Sequence, residues 1–130
     1  MNKLFNSDAV KVVDAIYDMY GNTCIETILK EFNIKIIERT DWKYKKGKIL
    51  GDTIHINANL QDEVKKFVIA HEVGHFLLDY DRTIFYNFST SASHSEMRVN
   101  DFALLMISRE YEIDPILLKL RLNEWHKLNL

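Results

Sequence analysis

The chain has 130 residues, 47 % of them hydrophobic and 28 % charged, which is the make-up of one globular domain spanning residues 1–130 with a core of its own. A net charge of −2 offers no electrostatic basis for direct nucleic-acid binding. The single cysteine, Cys24, excludes a disulfide framework and a thiolate zinc site, and no apolar run has the length of a membrane span.

The start of the chain, MNKLFNSDAVKVVDAIYDMY, carries charges throughout and lacks the apolar stretch of a signal peptide, so a cytoplasmic protein is expected. Ser7 is placed to cap a first helix running to about Met19. Val10, Val13, Ile16 and Tyr17 recur there at helical spacing, and Gly21 ends it. Asn22 or Thr23 caps a second helix, with Ile25, Ile28, Leu29 and Phe32 as its inner face.

Residues 34–39 (IKIIER) read as a strand rich in β-branched side chains. The following DWKYKKGK mixes lysines with two aromatics and reads as a solvated turn, being short in a chain that is not basic. Ile49-Leu50 and residues 53–57 (TIHIN) form two further short strands about a Gly51-Asp52 turn. His55 alternates with Ile54 and Ile56 and so points off the isoleucine face, as an exposed strand residue and not a ligand.

Asn59 is placed to cap a helix that runs to about Leu78, with Asp62 and Glu63 in its first turn, where the helix dipole favours them. Within it stands His71-Glu72-Val73-Gly74-His75. Residues four apart share a helix face, so the two imidazoles lie one turn apart and can hold one metal ion. Glu72 projects beside them and can accept a proton from a water on that ion. Imidazole and carboxylate donors at an open tetrahedral site suit Zn²⁺. Val68, Ile69, Ala70, Val73, Phe76, Leu77 and Leu78 surround the motif, so the helix is mostly buried. Ionisable groups there are costly without partners.

The irregular stretch 81–92 follows, a candidate wall for a cleft, with Tyr80 and Tyr86 as candidate oxyanion donors. A helix is expected from Ser93 to Arg109, and a last one opened by Asp114 as cap and Pro115 at the first helical position. A zinc site built on two His needs a third ligand. Asp79, Asp81, His94 and Glu96 are the candidates. Asp81 has the metzincin spacing, but Leu78 stands where that pattern needs glycine. Glu96 is favoured, with His94 as fallback, and Asn100 one turn on can hydrogen-bond a ligating imidazole. The competing role for Glu96 is a capping box with Ser93.

TIHIN, then FVIAHEVGHFLL, then Glu96, Asn100, Phe102 and Ala103 with Leu104-Leu105-Met106 resemble the ImmA/IrrE metallopeptidases, a gluzincin-like family, over roughly residues 34–107. The resemblance implies an α+β, zincin-like fold, with helices packed around a small three-stranded sheet and a buried HExxH helix. It implies zinc held by His71, His75 and Glu96, with Glu72 as the catalytic base. It also implies a protein substrate, typically a helix-turn-helix repressor, whose cleavage switches on phage, mobile-element or stress genes. Where the family often reads Glu-x-Glu-Ala-Asn, Arg98 and Val99 replace the second Glu and the Ala, which leaves Glu96 to ligate. One strand, residues 53–57, is the expected partner for an extended substrate backbone. The rival to proteolysis is a zinc-containing module that sequesters a repressor intact, and a weaker one is a small-molecule zinc hydrolase.

Overall fold

The computed structural model describes the backbone at residues 4–78 and 89–127, and side chains at 4–78 and 96–121. In chain order the elements are α1 (Ser7–Tyr20), α2 (Ile25–Glu31), β1 (Lys35–Arg39), β2 (Gly47–Leu50), β3 (Thr53–Asn57), α3 (Asp62–Leu78), α4 (Ser89–Glu110) and α5 (Pro115–Lys127). This is the expected α+β arrangement of helices packed on a small sheet. The sheet has three strands in the order β1-β3-β2. β1 runs parallel to β3, with Ile37 opposite His55, and β2 runs antiparallel to it, with Lys48 opposite His55.

Local chemistry accounts for most of the boundaries. Asn6, not Ser7, caps α1: its side chain accepts from the backbone N–H groups of Asp8 and Ala9. Gly21, at φ 75°, closes that helix in the left-handed region. Cys24 occupies the cap position of α2 without a side-chain bond. Asn22 supports the turn instead, accepting from the Cys24 N–H and the Thr27 hydroxyl. Thr23 is buried and donates its hydroxyl to the Met106 carbonyl of α4. Asn59 does not cap α3, which starts at Asp62 with its first turn closed by Lys65 N–H on the Gln61 carbonyl. Asp114 accepts from the Ile116 N–H, and α5 begins at Pro115 as expected.

The core lies where α1, α2, α3 and α4 meet one face of the sheet. Val13, Ile28, Ile54, Val73, Phe102, Leu104 and Met106 are its largest fully buried side chains in that cluster. A small second cluster of Ile56, Val64 and Val68 joins β3 to the outer side of α3. Buried Asp101 on α4 accepts the Asn6 N–H at 2.7 Å and lies 3.6 Å from the Lys119 ammonium, tying the first and last helices to the same point.

α3 and α4 approach closely at Gly74. A methyl group there would sit 2.8 Å from Val99 Cγ1 and 3.0 Å from Phe102 Cδ2. Only hydrogen fits between α3 and α4 at that height. In an exposed helix, Ala is favoured over Gly by about 1 kcal/mol. Here overpacking costs roughly 1–3 kcal/mol, so Gly74→Ala is predicted to lower the unfolding temperature by several degrees. Thermal unfolding followed by circular dichroism checks this, and an unchanged or raised midpoint would contradict the close contact.

Candidate metal centre

α3 presents three faces, and each has a separate task. Ala70, Val73 and Gly74 face the core and α4. Val64, Val68 and Glu72 face the sheet. Phe67, His71 and His75, spaced by four, form the remaining stripe. The imidazoles of His71 and His75 stand with ring centres 4.9 Å apart, and the Phe67 ring lies edge-on to His71 at 6.2 Å.

Glu96 reaches this stripe from α4. One carboxylate oxygen, Oε2, lies 3.4 Å from His71 Nε2 and 2.9 Å from His75 Nε2. The three residues offer one ligand atom each, all within 4.8 Å of one another. The donor set of two imidazole nitrogens and one carboxylate oxygen, converging from two rigid helices, is one that Zn²⁺ accepts. Hydrogen bonds from His71 and then His75 hold the Glu96 carboxyl well below the usual carboxylate range, against the opposing effect of burial. In that state each Nε2 carries a proton towards Glu96. A metal would replace those protons, so metal and acid compete for the site.

The start of α4 bears on the role of Glu96. The helix begins at Ser89, so Ser93 lies inside it and cannot form a capping box with Glu96 at a helix start. His94, Asp79, Asp81, Tyr80 and Tyr86 have side chains outside the described residues. Asn100 lies on the same face as Glu96 but makes no hydrogen bond with a described residue, so the expected bond to an imidazole is not formed there. His55 is separate from the cluster. Its Nδ1 is 3.4 Å from Arg39 Nη1, beside the Trp42 ring.

Glu72 is buried, with 8 % of its surface exposed. It makes no ion pair or hydrogen bond with a described residue. The first residue of β2 sits against it. A methyl group at Gly47 would lie 2.5 Å from Val68 Cγ1 and 3.6 Å from Glu72 Cγ. Gly47 therefore brings the strand backbone onto α3 at the height of Glu72. The sequence reading assigned Gly47 to a turn. The signal that could have found this contact is a glycine inside a strand, which marks a close backbone approach.

The Glu96 shift has a sign that can be tested on metal-free protein. A carboxyl whose pKa is lower in the folded state adds stability above its unfolded value, about 4.3. That stability is lost as pH falls from there towards the folded value. Since 55 % of the Glu96 side chain is exposed, the gain is under about 1 kcal/mol. Chelator-treated wild type is predicted to exceed Glu96→Gln in denaturant stability near pH 5.5, and the difference is predicted to shrink towards pH 3. A difference that widens on acidification would contradict the ion pair.

Comparison with curated proteins and with solved structures gave no match. A comparison with protein families matches residues 29–114 to the IrrE N-terminal-like domain of peptidase family M78. The match runs from the end of α2 through the sheet, the HExxH helix and all of α4, and it covers about two thirds of the 130 residues. By that extent the chain belongs to peptidase family M78, the IrrE N-terminal-like group of metallopeptidases.

Proposed function

We propose that the protein is a zinc-dependent endopeptidase acting in the cytoplasm on a helix-turn-helix transcriptional repressor. Its cleavage would relieve repression of a phage, mobile-element or stress gene set. The observation that carries the reading is the single Glu96 oxygen set 3.4 Å and 2.9 Å from the Nε2 atoms of His71 and His75. The choice of a repressor as substrate rests on the family resemblance.

His71, His75 and Glu96 would hold the ion, leaving a fourth position open. Zinc bound there supplies Lewis-acid polarisation of the substrate carbonyl and a water acidified to a pKa of about 7. Glu72 takes up the proton of the attacking water and passes it to the amine nitrogen as the peptide bond breaks.

The strand that pairs with an extended substrate is β2, in place of residues 53–57. β3 lies at the centre of the sheet with both edges used, by β1 and by β2. β2 is an edge strand, and among the described residues nothing pairs with its outer side. It also starts against Glu72 through Gly47. A substrate backbone added there would be carried past the candidate metal site.

Two measurements test the reading. Purified wild-type protein is predicted to contain about one zinc per chain, and folded His71→Ala and Glu96→Ala variants are predicted to lose most of it. Zinc retained by Glu96→Ala would remove Glu96 from the ligand set. Glu72→Gln is predicted to keep its zinc while cleavage of the repressor falls by about 10²–10⁴-fold. Repressor recovered intact in complex with wild type would instead favour sequestration.

A further inference from the structure

The run WKYKKGK, residues 42–48, leads from β1 into β2 and contributes no ligand to the metal centre. In sequence it reads as a solvated turn, but the structure pins it. Buried Asn57, at the end of β3, donates its side-chain amide to the carbonyls of Trp42 and Lys45, at 3.3 and 2.9 Å. The Asn57 N–H reaches the Lys46 carbonyl at 2.9 Å. These bonds hold the loop over the end of the sheet, and Tyr44 within it is 89 % exposed.

The loop closes onto the sheet face turned away from the core. His55 alternates with buried Ile54 and Ile56 and so points to that face. Ile37 and Lys48 stand beside it in one row across the three strands. The Trp42 ring lies 6.4 Å from the His55 ring, with the Lys45 ammonium 5.4 Å and the Arg39 guanidinium 5.5 Å from its centre. Ile37 and Leu50 on this face are 46 % and 54 % exposed, so the face is open.

The net charge of −2 averages over an uneven distribution. No acid stands between Trp42 and Gly51, where Lys43, Lys45, Lys46 and Lys48 are found. Acids nearby are already engaged: Asp52 by Lys35, Asp41 by Arg39 and Glu38 by Lys65. The four lysines of the run make no ion pair among the described residues. Like charges so close together repel, and an anionic partner that settles there relieves the repulsion. An acidic peptide answers the charge alone. A nucleic acid with unpaired bases answers both features, with phosphates for the ammonium groups and a base for the exposed ring. We infer that this face of the sheet binds single-stranded nucleic acid. Lys43, Lys45, Lys46 and Lys48 meet the phosphates, Tyr44 stacks on a base, and Trp42 holds Lys45 and Arg39 in place. The inference does not rest on the peptidase reading.

The test is fluorescence anisotropy of a labelled oligothymidylate of about twelve nucleotides, a length typical of single-strand sites, titrated with the full chain. Binding is expected at low salt. Its log–log salt slope is expected near about −3, from about −0.7 for each of four phosphates neutralised. Tyr44→Ala is expected to weaken binding about tenfold. The double variant Lys43→Gln/Lys46→Gln is expected to halve the slope. Should it not fold by circular dichroism, Lys43→Gln alone is expected to reduce the slope by about 0.7. Absence of binding at low salt, or binding that these variants leave unchanged, overturns the inference. A loss in the lysine variant with none in Tyr44→Ala overturns it too, leaving a contact of charge alone. Polyglutamate that displaces the label as well as unlabelled oligothymidylate does would assign the face to an acidic protein segment and overturn it likewise.

Discussion

The arrangement depends on how closely α4 can lie against α3. That distance is set at Gly74, inside the HExxH motif, where a single methyl group would meet Val99 and Phe102 at 2.8–3.0 Å. Val99 stands less than one turn from Glu96. The contact that lets the helices approach is therefore also the contact that delivers the carboxylate to His71 and His75. Helices transmit such constraints well because their backbones are rigid on the scale of a ligand bond. The rest of the core repeats the same instruction. Asp101, five residues after Glu96 on α4, is held by the Asn6 N–H and faces Lys119, so the first and last helices clamp the one that carries Glu96.

The two acids of the site stand in unlike surroundings. Glu72 is buried and pressed by the start of β2, whereas the Glu96 side chain is more than half exposed. A buried acid needs a partner more than an exposed one does. Glu96 has two imidazoles and is held ionised by them. Glu72 has none among the described residues. The two acids therefore differ in setting: Glu96 is tied to the imidazole pair, and Glu72 lies under the start of β2.

Much of this could be read along the chain, because it depends on local period and local chemistry. The TIHIN strand, the Asp114-Pro115 start and the spacing of His71 and His75 are properties of neighbours in sequence, and the first two appear where expected. What could not be read is set by distant partners. The cap of α1 moved from Ser7 to Asn6, whose own N–H is anchored on Asp101. The apparent capping box at Ser93 dissolved because α4 begins earlier, at Ser89. The order of the strands, and with it the identity of the free edge, depends on which strand enters the middle of the sheet. β1 and β3 are direct parallel neighbours although β2 lies between them in sequence, a choice no local pattern encodes. Neither Gly47 nor Gly74 takes a positive φ, so the one local sign is Gly47's place in a strand, and Gly74 has none. Each is required by a side chain far away in sequence.

Helix periodicity then decides how a substrate would meet the site. Successive residues on α3 are separated by about 100°, so Glu72 cannot share the face of His71 and His75. It lies on the next stripe, the one that Val64 and Val68 bury under the sheet. A group on the imidazole stripe and a strand on the Glu72 stripe are therefore adjacent by construction. β2 is the strand at that position because Gly47 removes the side chain that would hold it away. The sheet edge, Glu72 and the His71–His75 pair follow one another around a single helix. Position around α3 thus sets which element lies next to which group.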